Sequence, residues 1–243
     1  MADSDLAFEW SRRLWLPISR SPQLFPLMVR VQRKRRNRPA RPTDRIVIDG
    51  FPRSANTFSS RAFQFANPDV PASHHMHAPA NILLAVRYRI PTIVVIRSPI
   101  DAVLSEVIRE PRKQLRRGLL EWNSFYGTVR PVLDQIVVAD FATVTTDYSI
   151  VIDEVNRRFG TNFAPYRNSP ESDEKVFASI EAGARSRGKS GTRLETQVPR
   201  PSKERVGRKD ALQAELARPE LRPLVERAQA LYADFLAVAP RPR

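Results

Sequence analysis

The stretch that decides the fold covers residues 45–58 and reads RIVIDGFPRSANTF. Its apolar part, residues 46–48, predicts a buried strand, and residues 57–66 predict a helix. A strand, a tight loop and a helix start commonly form a cradle for a phosphate, because the first backbone N–H groups of a helix have no partner inside it. The stretch therefore predicts an anion-binding loop.

The loop differs from the one that nucleotide triphosphatases use. That loop has the pattern Gly-x4-Gly-Lys-Ser/Thr. Counting from Gly50, this chain has Ala55, Asn56 and Thr57 at the last three positions. The lysine is missing, and a different cation, Arg53, stands three residues before its position. The pattern favours a loop built for a different anion, although a nucleotide kinase stays open as an alternative. A kinase would also need an acidic residue for magnesium, and Asp140, after an apolar strand, is the candidate.

The alternation of apolar segments predicts the fold class. Further strands are expected at residues 92–96 and 136–139, and further helices at 80–87, 100–108, 115–129, 148–159, 176–184 and 221–236. The helix at 148–159 is expected to stop at Gly160, the usual residue after a helix end. Strands that alternate with helices predict an α/β fold, a parallel β-sheet flanked by helices on both faces.

Composition sets the class of partner. The chain has 243 residues, a net charge of +14 and no cysteine. The charge favours an anionic partner, and the lack of cysteine excludes disulfides and thiolate metal sites. No apolar run approaches the ~20 residues of a membrane span, so we expect a cytoplasmic protein.

Residues 1–44 are expected to form an extension before a domain at residues 45–243. Proline residues interrupt the apolar residues of the extension, and a basic run covers residues 30–45. A short amphipathic segment beside a cationic run is typical of a helix that lies on a membrane surface. The sequence leaves open two interpretations: peripheral contact with the inner membrane surface, or a helix packed on the domain and followed by a solvated linker.

A second strand-to-helix junction covers residues 97–105 and reads RSPIDAVLS. Ser98, Pro99 and Asp101 predict a capped helix start. They do not explain Arg97, a cation at the end of an apolar strand, which is costly to bury unless it meets an anion. Asp101 is one candidate for that anion, and a bound ligand is the other.

Together the two junctions resemble two motifs of the sulfotransferases. Residues 52–58, PRSANTF, are similar to the loop that binds a 5′-phosphosulfate in that family, and residues 97–105 are similar to its 3′-phosphate motif, Arg-x-Pro-x-Asp-x-x-x-Ser. The resemblance continues weakly to Gly160. It implies a P-loop kinase-like three-layer sandwich and 3′-phosphoadenosine 5′-phosphosulfate (PAPS) as co-substrate, without a metal.

The resemblance also implies the binding residues. They are Arg53, Ser54, Ala55, Asn56, Thr57 and Phe58 for the 5′ end, and Arg97 and Ser105 for the 3′-phosphate. A late basic segment of the family is matched here only by Arg205, Arg208 and Lys209. Ala55 replaces a glycine of the motif, so close approach of the backbone to a ligand is expected only if its φ stays negative.

The three histidines lie together, at positions 74, 75 and 77. Their spacing is poor support for a metal site, because no Asp, Glu or Cys nearby completes a ligand set. His77-Ala78-Pro79 resembles the His-x-Pro that supplies the base in many sulfotransferases, which implies His77 as base, with His75 as the competitor. Arg53 is the second expected catalytic residue, since it would offset charge on the transferred group.

The expected acceptor is a hydroxyl of a small molecule, a carbohydrate or a glycolipid. Apart from the kinase, the alternatives are a basic nucleic-acid-binding protein and a relative of sulfotransferases without catalytic activity. The nucleic-acid alternative has little support, because no aromatic residue is interleaved with the basic run and no recognition motif is present.

Overall fold

The computed structural model describes residues 15–31, 38–186 and 212–241. In chain order these ranges contain α1 (Leu24–Val31), β1 (Ile46–Gly50), α2 (Asn56–Ala66), β2 (Ala72–His74), α3 (Pro79–Arg87), β3 (Thr92–Ile96), α4 (Pro99–Arg109), α5 (Leu115–Val129), β4 (Val137–Asp140), α6 (Phe141–Thr146), α7 (Ser149–Phe159), α8 (Pro170–Arg185) and α9 (Arg222–Val238). Residues 15–20 and 212–216 are also helical, and a 3₁₀ helix spans Arg130–Gln135. No helix in these ranges is long and apolar enough to cross a membrane.

The strands pair in the order β2-β1-β3-β4, and every pair is parallel. Both β1 and β3 are buried along their whole length, which is why Ile and Val predominate in each. The register places Gly50 opposite Val95 and Ile48 opposite His74. The carboxyl ends of the strands therefore meet at one edge of the sheet.

Helices cover both faces of the sheet. One face is covered by α4, α5, α9 and part of α3, and the largest side chain buried there is Trp122. The other face carries α2, α7 and α8, packed around Phe63 and Tyr148. A smaller cluster at the β2 edge joins α1 to α3. The predicted fold class, a parallel sheet between two helical layers, is confirmed.

The chain changes direction between β1 and β3. After β1 it passes to the α2 face, whereas after the adjacent strand β3 it passes to the α4 face. Two neighbouring strands whose helices lie on opposite faces leave a crevice at their carboxyl ends, and this is where open α/β sheets bind ligands. Both motifs identified from the sequence lie at this crevice.

Several local expectations need correction. Ser98 precedes α4 and Pro99 is its first residue, but the Ser98 side chain makes no capping hydrogen bond. The predicted short helix at 176–184 is the end of a longer helix, α8, which Ser169 and Ser172 cap reciprocally. The short edge strand β2 was not predicted, because it is not apolar.

Candidate functional site

The loop after β1 holds two residues in the left-handed region of backbone conformation. Arg53 has a φ of 67° and Ala55 a φ of 69°. The condition for close approach of the backbone at Ala55, a negative φ, is therefore not met. Ala55 occupies the cap position of α2, and no side chain caps the helix. The loop takes the turn that a glycine would favour, at a conformational cost.

The first turn of α2 presents unpaired donors. Within the described residues, no hydrogen bond uses the backbone N–H of Asn56, Thr57 or Phe58. The side chain of Asn56 instead stabilises the loop, since its amide nitrogen donates to the carbonyl of Phe51 at 2.7 Å. The partial positive charge at this helix start and the unpaired N–H groups together suit an anion.

The two sequence motifs meet in this crevice. Arg53 Nε donates to Ser105 Oγ at 2.9 Å, and Arg97 Nη1 donates to the backbone carbonyl of Arg53 at 3.2 Å. Arg53 and Arg97 are separated by 44 positions in the chain. The structure thus brings together Arg53, Arg97 and Ser105, three of the predicted binding residues.

Arg97 is held by an aromatic ring. Its guanidinium carbon lies 4.3 Å from the centre of the Phe141 ring, a favourable cation–π contact. Burial lowers the pKa of Arg97 from its ordinary value, while Asp101 and Tyr232 act in the opposite direction. A partly buried cation with a lowered pKa gains from an anion placed beside it.

Asp140 and Tyr232 form a hydrogen-bonded pair near Arg97. Tyr232, on α9, donates its hydroxyl to Asp140 Oδ1 at 2.9 Å, and Asp140 Oδ2 accepts the backbone N–H of Ala142 at 3.1 Å. Burial raises the pKa of Tyr232, and the bond to Asp140 raises it further. Tyr232 therefore keeps its proton and remains a hydrogen-bond donor.

The two candidate bases differ in their contacts. His75 Nε2 lies 2.8 Å from Thr57 Oγ1, and His75 Nδ1 lies 3.1 Å from a ring nitrogen of His74. His77 Nδ1 lies 2.8 Å from the carbonyl of Gly50. Because a carbonyl only accepts, His77 Nδ1 carries the proton, and a neutral His77 has its lone pair on Nε2. Among the described residues no hydrogen-bond partner meets that Nε2.

A buried carboxylate supports the histidine loop. Asp49 accepts the backbone N–H of His77 at 3.0 Å, that of Gly50 at 3.0 Å, and the side-chain amide of Asn81 at 3.1 Å. Burial raises the pKa of Asp49, and the contacts with His77, Gly50 and Asn81 oppose that shift. His77 has a φ of 50°, so these bonds hold it in a conformation that it would otherwise adopt rarely.

Other predicted site residues lie elsewhere. Phe58 is only 4% exposed and packs against Tyr166 and Phe177, so its ring belongs to the core. Ser54 lies within the loop after β1, but it is fully buried. Arg205, Arg208 and Lys209 lie outside the described residues. Within the described residues, no group of three or more His, Asp or Glu side chains is placed to hold a metal ion.

Sequence reasoning missed Asp49, Phe141 and Tyr232. Asp49 carried a signal, because it is a charged residue at the end of an apolar strand, as is Arg97. Phe141 directly follows β4 and had only its position as a signal. Tyr232 belongs to the apolar stripe of α9 and carried no signal for a polar role.

Comparisons with known proteins give little to add. No family model and no curated protein matches the sequence. A crystal structure of mouse sulfotransferase SULT7A1 in complex with PAP is similar, with a TM-score of 0.40 and 12% identity over 77% of this chain and 90% of the other. Likeness at this level identifies neither the family nor the activity of this chain.

Proposed function

We propose that this protein is a sulfotransferase that moves a sulfuryl group from PAPS to a hydroxyl acceptor. The observation that carries this function is the meeting of Arg53 and Arg97 at the crevice between β1 and β3, each from a motif that resembles a phosphate-binding motif of sulfotransferases. Two cations on neighbouring strand ends suit a ligand with an anionic group at each end.

The residues of the crevice fit such a ligand. The N–H groups of Asn56 and Thr57 and the guanidinium of Arg53 would hold the 5′-phosphosulfate, because they combine a helix start with a full positive charge. Arg97 and Ser105 would hold the 3′-phosphate. When bound, PAPS supplies the sulfuryl group. Arg53 offsets the negative charge on the transferred group and the leaving phosphate, as preorganised donors do in other group transfers.

His77 is the proposed base. Its Nδ1 proton is fixed on the Gly50 carbonyl, which leaves Nε2 able to take the proton of the acceptor hydroxyl. Asp49 holds the backbone of His77 in place. The positions of both residues follow from the register, because β2 runs parallel to β1 and the loops after the two strands lie side by side.

The contacts of Asp140 weigh against a nucleotide kinase. Asp140 is the candidate magnesium ligand of that alternative, but it follows β4, which is separated from β1 by β3. Two strand spacings amount to about 9–10 Å. Both carboxylate oxygens of Asp140 already accept hydrogen bonds, from Tyr232 and Ala142.

The direct test is incubation of the purified protein with radiolabelled PAPS and a panel of phenol, carbohydrate and glycolipid acceptors. We expect label transfer in the presence of EDTA. Arg53→Ala should lower the transfer rate by roughly 10²-fold or more. Arg116→Ala, at an exposed position on α5, is the matched control and should leave the rate unchanged.

The possible outcomes separate the alternatives. Binding of 3′,5′-adenosine bisphosphate (PAP) without transfer to any acceptor would favour a relative that lacks catalytic activity. Magnesium-dependent binding of ATP, with no affinity for PAP, would favour a kinase. A fully active Arg53→Ala variant would remove Arg53 from the mechanism.

A further inference from the structure

Helix α1 is apolar on two opposite sides. Phe25 and Val29 are buried and pack in the cluster that joins α1 to α3. On the other side, Leu24, Leu27 and Val31 are 52%, 61% and 81% exposed. Their spacing of three and four residues places them on one stripe of the helix. We call these three residues the α1 stripe.

The α1 stripe stands out from the rest of the surface. In the described ranges six large hydrophobic residues are exposed, and three of them form this stripe. Exposed apolar residues that occur singly are ordinary, but contiguous ones mark an interaction surface. The other three, Phe65, Tyr88 and Val238, belong to other parts of the chain.

The charges around α1 define its partner. Arg30, on α1, is exposed next to the stripe, and Arg20, at the end of the helical segment before α1, is also exposed. From position 10 to position 43 the sequence has no Asp or Glu and ten basic residues, at 12, 13, 20, 30, 33, 34, 35, 36, 38 and 41. Of these, Arg38 is paired with the carboxylate of Asp44. An apolar stripe between cations matches a bilayer surface that carries anionic headgroups, because the stripe enters the interface while the cations contact phosphates.

We propose that the α1 stripe docks on an anionic lipid surface. A nucleic acid backbone offers no apolar surface against which Leu27 and Val31 could be buried. A second copy of this chain, with a net charge of +14, would bring like charges together at the same stripe. The lipid surface is the partner that satisfies the apolar stripe and its charges together.

Docking would also place the candidate site near the lipid. The buried side of α1 belongs to the same hydrophobic cluster as Met76 and Ala78, the two neighbours of His77. The α1 stripe points away from that cluster and can meet lipid without disturbing it. This surface does not depend on the proposed sulfuryl transfer, because it is defined by a different part of the molecule.

The test is flotation of the full-length protein with vesicles of phosphatidylcholine, and with vesicles that also contain phosphatidylglycerol. We expect binding to the anionic vesicles alone, weakened by added salt. The double variant Leu27→Ser/Val31→Ser should bind them about tenfold more weakly. The control Phe65→Ser/Val238→Ser, which removes two exposed apolar residues outside the stripe, should bind as the parent does.

Three results would overturn this docking surface. They are absence of binding to anionic vesicles, equal loss in both double variants, and sedimentation that shows a dimer which only Leu27→Ser/Val31→Ser dissociates. Circular dichroism of Leu27→Ser/Val31→Ser reports on its fold, and its binding of PAP, measured in parallel, reports on the proposed function. A variant that folds as the parent does and binds vesicles weakly is the expected result.

Discussion

At the residue scale, backbone strain is concentrated beside the candidate site. Five non-glycine residues in the described ranges have positive φ, and four of them, Arg53, Ala55, His75 and His77, lie in the loops after β1 and β2. Residues held in such conformations cost of order 1–3 kcal/mol each and cluster at functional sites. The strain supports a site at this edge of the sheet independently of charge.

Ala55 gives the simplest test of that strain. With a φ of 69°, Ala55→Gly should raise the free energy of unfolding by about 1 kcal/mol, because glycine adopts this conformation without steric cost. For a chain of this size the melting temperature should rise by roughly 2–4 °C. Thermal unfolding followed by circular dichroism measures the change.

The matched control for Ala55→Gly is Ala182→Gly, on the exposed side of α8. There the substitution should lower the free energy of unfolding by about 1 kcal/mol, because glycine loses more backbone conformational entropy than alanine when it is fixed in a helix. If the two variants change stability in the same direction, Ala55 is not strained.

Asp49 predicts a pH dependence. Its burial raises its pKa. A carboxyl group with a raised pKa in the folded state contributes stability below its unfolded pKa of about 3.9 and loses that contribution as the pH rises through the folded value. An asparagine side chain does not ionise, so the parent should lose stability relative to the Asp49→Asn variant as the pH increases from about 4. Urea unfolding at several pH values measures this difference, and a difference that is constant or grows in favour of the parent would contradict it.

At the element scale, the site depends on the close contact between β1 and β3. A Cβ added to Gly50 would lie 2.2 Å from the carbonyl oxygen of Val95 and 2.8 Å from Asn56 Oδ1. Only glycine therefore allows the two strand ends, and the motifs that follow them, to come this close.

Gly50→Ala should accordingly force β1 and β3 apart. We expect a loss of about 3 kcal/mol in the free energy of unfolding, at the upper end for overpacking because the obstacle is backbone. Gly127→Ala, whose added Cβ would meet no atom closer than 3.9 Å, should instead stabilise α5 by roughly 0.5–1 kcal/mol. Urea unfolding of both variants decides the matter, and a Gly50→Ala protein as stable as its parent would refute the close contact.

The elements that the sequence predicted are those with strong local patterns. Runs of β-branched residues indicated β1, β3 and β4, and apolar stripes indicated the helices around them. The edge strand β2 has a weak pattern because its backbone pairs with β1 while its side chains are only partly buried. The start of α8 was missed because its first turn is polar and faces solvent.

Part of the site was also predictable from the sequence. Arg53 and Arg97 stand out because each cation follows an apolar strand, and the parallel sheet brings them together. The contact between Asp140 and Tyr232 joins residues 92 positions apart, and no local pattern encodes it. The carbonyl of Gly50, on β1, likewise decides that the proton of His77 is on Nδ1 and the lone pair on Nε2. No local pattern around His77 encodes this contact.

At the scale of the whole molecule, the central claim is that one ligand spans two cationic strand ends. The fold supports this claim because β1 and β3 are adjacent and send their helices to opposite faces. The net charge of +14 would assist the approach of any anion. Discrimination between different anions must therefore come from the two cationic strand ends, each of which would contact a different phosphate of the ligand.

Calorimetry without magnesium tests that separation most directly, with PAP, adenosine 5′-monophosphate and adenosine 3′-monophosphate as ligands. Arg53→Ala and Arg97→Ala should each weaken PAP binding by about tenfold or more, as expected for a lost charge-assisted hydrogen bond. Arg53→Ala should weaken the 5′-monophosphate more than the 3′-monophosphate, whose proposed partner Ser105 is contacted by Arg53, and Arg97→Ala should do the reverse. If both variants weaken both monophosphates equally, or if the parent binds no PAP, the two strand ends do not hold opposite ends of one ligand.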